Sequence, residues 1–225
     1  MKNNYLRTAC LFVTLGVSST TSFAQREVSL ENSGNVTDGG PLSTRRYENV
    51  TGNPYLMEDW NTAMVKFVNG TTLKEVKVKY DLVAEVLVFE NKGRELLFID
   101  PVEEFKINLS QKGDHVHFKR LKSFKNNGFY QVLFEGTTSL YKKHKKIIVD
   151  KTPFNSATTV KLVESKVSYH LYIKNKAVSV KNTEKSILSV LNDKKVELAN
   201  YLQKEALNLQ DDKDLIKLIA YYNTL

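Results

Sequence analysis

The chain has 225 residues, 41% of them hydrophobic and 10% aromatic, with a formal charge of +8. That is enough apolar material for a genuine core. The single cysteine, Cys10, lies in the first segment, so once that segment is removed a disulfide, a thiol nucleophile and a cysteine-ligated metal are all excluded.

Residues 1–24 have the three parts of a cleavable export signal. Lys2 and Arg7 form a basic start, Ala9 to Val17 is a short apolar core, and Ser22-Phe23-Ala24 supplies the small residues a signal peptidase requires. The apolar run is shorter than the ~20 residues needed to span a bilayer. Arg7 lies too close to Cys10 for a lipoprotein signal. Without Lys2 and Arg7 the positive excess falls from +8 to +6. The sequence therefore predicts an exported chain, periplasmic, outer-membrane associated or extracellular, with no transmembrane span after cleavage.

Residues 25–50 are polar and punctuated (Asn32-Ser33-Gly34, Asp38-Gly39-Gly40-Pro41) and read as a flexible leader. From Ala63 the period changes to that of strands. Ala63–Val68 runs into Asn69-Gly70, a hairpin signal because both residues tolerate positive φ. Val76, Val78 and Tyr80 alternate with lysines, and Glu85–Glu90 is a more continuous apolar strand ending at Asn91-Lys92-Gly93. Strands follow at Glu95–Ile99, Phe105–Leu109, around Val116 and Phe118, and at Phe129–Phe134, with turns at Lys112-Gly113-Asp114 and Asn126-Asn127-Gly128. Val167–Ile173 and Ala177–Val180 form a late hairpin through Asn175-Lys176.

After Asn182 the spacing becomes helical over Ser186–Leu191, Lys194–Ala206 and Asp214–Tyr222. Val196, Ala199 and Leu202 share one face, as do Leu215, Leu218, Ile219 and Tyr222. Thr183, Asp193 and Asp212 are the expected N-caps. The expected fold is α+β: a mostly antiparallel β-meander sheet followed by a C-terminal helical unit packed on it. The single domain covers 51–225, β-rich over 62–181 and helical over 184–225.

The sequence contains no phosphate loop, dinucleotide fingerprint, His-Glu-x-x-His motif or nucleophile elbow. No cofactor is implied. His115-Val116-His117 is the candidate metal pair, since two residues two apart on a strand face the same way, with Asp114, Glu103 or Glu104 as further donors. Glu103 and Glu104, adjacent on a strand, should point to opposite faces. His144 reads as surface, and His170 as a packing residue with one ring hydrogen bond. The run Lys142-Lys143-His144-Lys145-Lys146 fits an anionic partner, such as nucleic acid, anionic lipid or lipopolysaccharide, or a solvated lysine face. Export argues against nucleic acid. Aromatics such as Tyr55, Trp60, Tyr130 and Tyr172 suit either core packing or a glycan or apolar ligand.

Gly52-Asn53-Pro54-Tyr55-Leu56, the Asn69-Gly70 hairpin leading to Tyr80-Asp81, and Gly128-Phe129-Tyr130 running to Phe134-Glu135-Gly136 form one set with Ser139–Lys143 and Tyr221-Tyr222-Asn223-x-Leu225. Together, over about 52–225, this set resembles a group of uncharacterised exported proteins of Bacteroidota. The resemblance implies a signal peptide, a β-rich middle and terminal helices, and carries no catalytic residue across. The expected role is that of an exported cell-envelope protein that binds an envelope protein, a glycan or a lipid. The alternatives are an apolar-ligand carrier and a metal-dependent hydrolase with a dispersed site.

Overall fold

Apolar residues alternating with lysine, glutamate and threonine can bury one face of a strand and wet the other, and the chain does so from Asn61 to Val180. The computed structural model describes residues 27–28, 40–41, 46–109, 114–121, 124, 128–152, 154 and 158–225. The export signal, most of the 25–50 leader, and the turns expected at Lys112-Gly113 and Asn126-Asn127 lie outside the described residues.

In chain order the strands are β1 (Glu27–Val28), β2 (Gly40–Pro41), β3 (Val50–Thr51), β4 (Asn61–Phe67), β5 (Thr72–Asp81), β6 (Val86–Asn91) and β7 (Arg94–Leu97). Next come β8 (Val102–Asn108), β9 (His115–Arg120), β10 (Phe129–Phe134), β11 (Ser139–Lys151), β12 (Val160–Ile173) and β13 (Lys176–Val180). Three helices close the chain: α1 (Glu184–Val190), α2 (Lys195–Lys204) and α3 (Asp212–Tyr222), with a 3-10 turn at Asn192–Lys194.

All the strands join one sheet, in the order β13-β12-β11-β10-β9-β8-β4-β5-β6-β7-β2. Pairings among β4–β13 are antiparallel, whereas β1 runs parallel to β5 and β3 parallel to β12, so the sheet is mixed. It also departs from a simple meander, because β8 returns beside β4 instead of β7. That return forces curvature. Five residue steps from Leu97 to Val102 span at most about 18 Å, while four strand spacings amount to about 19 Å. The sheet coils to close the gap, and Phe98 packs on Phe67 and Phe89 at ring distances of 5.4 and 4.4 Å.

Inside the coil lies the first core, with Val65, Phe67, Leu73, Val78, Phe105 and Phe118 fully enclosed. Leu73 and Val76 both face inward despite their odd spacing. The register shifts between Ala63 and Val65, and Glu75 takes a φ of +55°, so a β-bulge re-aims the strand. Tyr80 sits edge-on to Phe105, Phe118 and Phe129, and its hydroxyl oxygen accepts the Phe129 amide at 3.4 Å.

The helices cover one face of β10–β13. Ile187, Leu191, Leu198, Leu215 and Leu218 meet Leu140, Leu171 and Val180 in a second core. Val196 is 70% exposed, contrary to expectation, because the 3-10 turn re-phases α2 and the buried stripe runs through Leu198 and Leu202. On the opposite face, Phe124, Tyr130 and Tyr141 form a third cluster that also holds His170. Among the described residues no helix is long and apolar enough to cross a membrane.

Fully buried Asp81, at the end of β5, fixes the segment before β3. It accepts from Arg46 Nη1 at 3.0 Å and from the Tyr47 hydroxyl, and also from the amides of Val83 and Ala84 at 3.0 and 2.9 Å.

Candidate functional site

A cleft of about 470 Å³ opens to solvent where the strand ends meet the helical unit. Four turns build it. The β12–β13 turn places Lys174 and Asn175 at φ +48° and +61°, the left-handed pair that a tight hairpin requires. This turn falls one residue before the Asn175-Lys176 position read from sequence. The β10–β11 turn contributes Thr137 and Thr138. Asp193 and Lys194 come from the 3-10 turn, and Tyr222 and Asn223 from the end of α3.

Asn223 locks these parts together. Its amide nitrogen donates to the Thr138 carbonyl at 2.9 Å and to the Ile219 carbonyl at 2.7 Å, and its oxygen accepts the Thr138 amide at 2.8 Å. Gly136 makes the approach feasible, because a Cβ there would stand 2.8 Å from Asn223 Oδ1 and 2.9 Å from the Phe134 ring. The Tyr222 hydroxyl donates to both Asp193 oxygens at 3.1 Å, and burial together with that carboxylate holds the phenol above its ordinary pKa. The cleft thus offers two half-buried tyrosine rings, Tyr172 and Tyr222, beside amide, hydroxyl and ammonium groups.

The other end of α3 is fastened by a part-buried polar contact. Asp211, one residue before the expected cap, accepts the Lys213 amide at 2.8 Å. Asp212 instead turns to the sheet, taking Lys142 Nζ at 2.6 Å and the Tyr169 hydroxyl at 2.8 Å. Burial works to lower the Lys142 pKa, but Asp212 outweighs it and the ammonium stays above its usual value. Thr183 and Lys194 precede α1 and α2 without a side-chain cap bond.

His115 and His117 lie two apart on β9, opposite Asn108 and Lys106. His117 Nε2 is 2.9 Å from Glu104 Oε2, whose carboxylate also lies within 3.4 Å of Lys66 and 3.8 Å of Lys119. Burial lowers the His117 pKa, helped by Lys119 and Lys106. Burial alone would raise the Glu104 carboxyl, but His117 and the two lysines hold it below its ordinary value. Among the described residues no group of three His, Cys, Asp or Glu side chains is placed to hold a metal ion. Glu103 does not point away from Glu104 as expected. The β4–β8 register shifts at Lys66/Phe67, and the bulge brings both carboxylates to Lys66, at 3.1 and 3.4 Å.

The lysine run is not a uniform solvated face. Lys143 is buried, 2.8 Å from Glu85 Oε1 and over the Tyr130 ring at 4.9 Å. This ion pair is what compensates both buried charges. Lys146 donates to the carbonyls of Asn53 and Tyr55 at 2.8 and 2.6 Å. His144, read as surface, is half-buried against Phe118 and bonded to Gln131 Oε1 at 2.6 Å. Burial and Lys142 push its pKa down to about 4. His170 packs on Phe124 and Tyr130, with its ring nitrogen 3.1 Å from Ser168 Oγ.

Sequence reasoning located neither the cleft nor its lining. The usable signals were a polar hairpin turn and a terminal Tyr-Tyr-Asn run, but nothing local says that they meet. No family model, curated protein or solved structure matches the chain.

Proposed function

We propose that the chain is an exported cell-envelope protein that binds its ligand without transforming it, and that the cleft receives a sugar unit of an envelope glycan. The supporting observation is the composition of the cleft. Two tyrosine rings flank hydrogen-bonding groups of Thr137, Lys174, Asn175 and Lys194 in a space of about 470 Å³. Clefts of about 300–1,000 Å³ suit small ligands. A sugar ring has an apolar face for a tyrosine and hydroxyls for amides and ammonium groups. A lipid carrier calls for an enclosed apolar cavity, whereas this cleft opens to solvent and is rimmed by charged and amide side chains.

The test is isothermal titration of the protein with neutral and acidic mono- and disaccharides. At least one class should bind, with affinity falling at least tenfold in Tyr172→Ala and Tyr222→Ala. Absence of binding across the panel, or unchanged affinity in both variants, would refute the assignment.

A further inference from the structure

The two longest strands outrun their neighbours. β10 pairs with β11 only as far as Lys142, and β13 pairs with β12 only from Tyr169 onward. From Lys143 to Lys151 and from Val160 to Ser168, β11 and β12 therefore continue as a two-stranded ribbon. One edge is bordered by β3, and the other is held at Lys146 by the Leu82 carbonyl at 3.0 Å.

The ribbon has an unusual charge arrangement. Lys145 lies directly opposite Lys166 in the ladder, and both are exposed. Like charges at directly opposed positions destabilise a strand pair. Ion pairs serve the neighbouring lysines: Lys142 has Asp212, Lys143 has Glu85, and Lys151 has Glu164 at 2.6 Å. Acidic side chains thus hold these members of the set directly, while Lys145 and Lys166 face solvent together, with the Glu164 carboxylate near Lys166 already bonded to Lys151. Apolar exposure accompanies them. Phe154, in the connection at the far end of the ribbon, is 96% exposed. A basic stem carrying an apolar extremity matches an anionic bilayer surface, where ammonium groups meet lipid phosphates and the ring enters the interfacial layer. An acidic protein partner would account for the lysines and leave Phe154 without a purpose.

We propose that the β11–β12 ribbon docks the protein on an anionic lipid surface, with Lys145 and Lys166 against the headgroups and Phe154 inserted between them. This inference is independent of the glycan reading.

The experiment uses the full chain with Trp60→Phe and Phe154→Trp, so that the only tryptophan reports on the ribbon itself and not on residues 1–24. It is titrated with phosphatidylcholine vesicles, with and without one-third phosphatidylglycerol. Anionic vesicles should shift the emission to the blue and neutral vesicles should not, with the effect weakening as salt rises. Adding Lys145→Gln and Lys166→Gln should weaken partitioning by a factor on the order of 30. Lys166→Glu, which creates a cross-strand ion pair and keeps the ribbon folded, should weaken it at least as much. No blue shift on anionic vesicles, an equal shift on neutral vesicles, or unchanged partitioning in both lysine variants would overturn the proposal.

Discussion

Asp81→Ala should destabilise the fold by about 4 kcal/mol. The carboxylate is fully buried at the end of β5 and accepts from four donors: Arg46, Tyr47 and the amides of Val83 and Ala84. Removing one member of a buried ion pair costs about 3–5 kcal/mol, and each stranded amide about 1–3 kcal/mol. These losses overlap. The Arg46 side chain is 26% exposed and can turn to water, so the total falls about 1 kcal/mol below the lower sum of about 5 kcal/mol. Asp81→Asn keeps an oxygen for the two amides and loses the charge, so it should cost about half as much, ~2 kcal/mol. Urea unfolding followed by circular dichroism gives both values, with an unchanged slope expected. Trypsin supplies a second readout, because cleavage after Arg46 should accelerate once its partner is gone. A loss below about 1 kcal/mol for Asp81→Ala, or equal losses for the two variants, would refute this account of how the segment is held.

Gly128→Ala should cost about 1–3 kcal/mol, since its Cβ would stand 2.7 Å from Glu85 Oε1 and 2.8 Å from Lys143 Nζ. In a Lys143→Ala background the penalty should shrink, and a double-mutant cycle measures the difference. Asn223→Ala removes two hydrogen bonds between the end of α3 and the β10–β11 turn and a third to the Ile219 carbonyl of α3 itself, and about 2–3 kcal/mol should disappear in the same urea assay. Acid should weaken the protein through His144, whose pKa falls from 6.5 to about 4 on folding. The unfolded chain then binds a proton that the folded chain refuses, so stability is full above pH 6.5 and declines toward pH 4, by up to about 3 kcal/mol. His144→Gln should flatten most of that limb. His117 and His170, both also lowered by burial, contribute to the remainder, and Glu104, held below its ordinary value, adds to it at the acid end.

Where a strand's environment is local, the sequence was sufficient. Phe129–Phe134 coincides with β10, and Leu215, Leu218 and Ile219 are the buried stripe of α3. The hairpin at Asn69-Gly70 forms, with the Gly70 amide bonded to the Phe67 carbonyl at 2.9 Å. What could not be read depends on partners distant in sequence. Lys142 and Lys143 look solvated until Asp212 and Glu85 arrive, and that hid the full extent of β11. A bulge is equally silent, so Glu103 and Glu104 were assigned to opposite faces and in fact share Lys66. The 3-10 turn between α1 and α2 shifted the helical phase enough to expose Val196. The cleft joins four segments that no periodicity links: Thr137–Thr138, Tyr172–Asn175, Asp193–Lys194 and the chain from Tyr222 onward. Of these, only the hairpin and the terminal Tyr-Tyr-Asn run carried any local mark.

The central claim is that a sugar-binding site lies between the β-turns and the end of α3, and amide chemical-shift mapping tests it most directly. Titration with the saccharide that binds best should move the amides of Lys174, Asn175, Asp193, Lys194 and Asn223, and leave Lys145 and Lys166 on the ribbon unmoved. Shifts confined to the ribbon or to the Tyr55/Trp60 surface around Lys79, or no saturable shift at all, would contradict it.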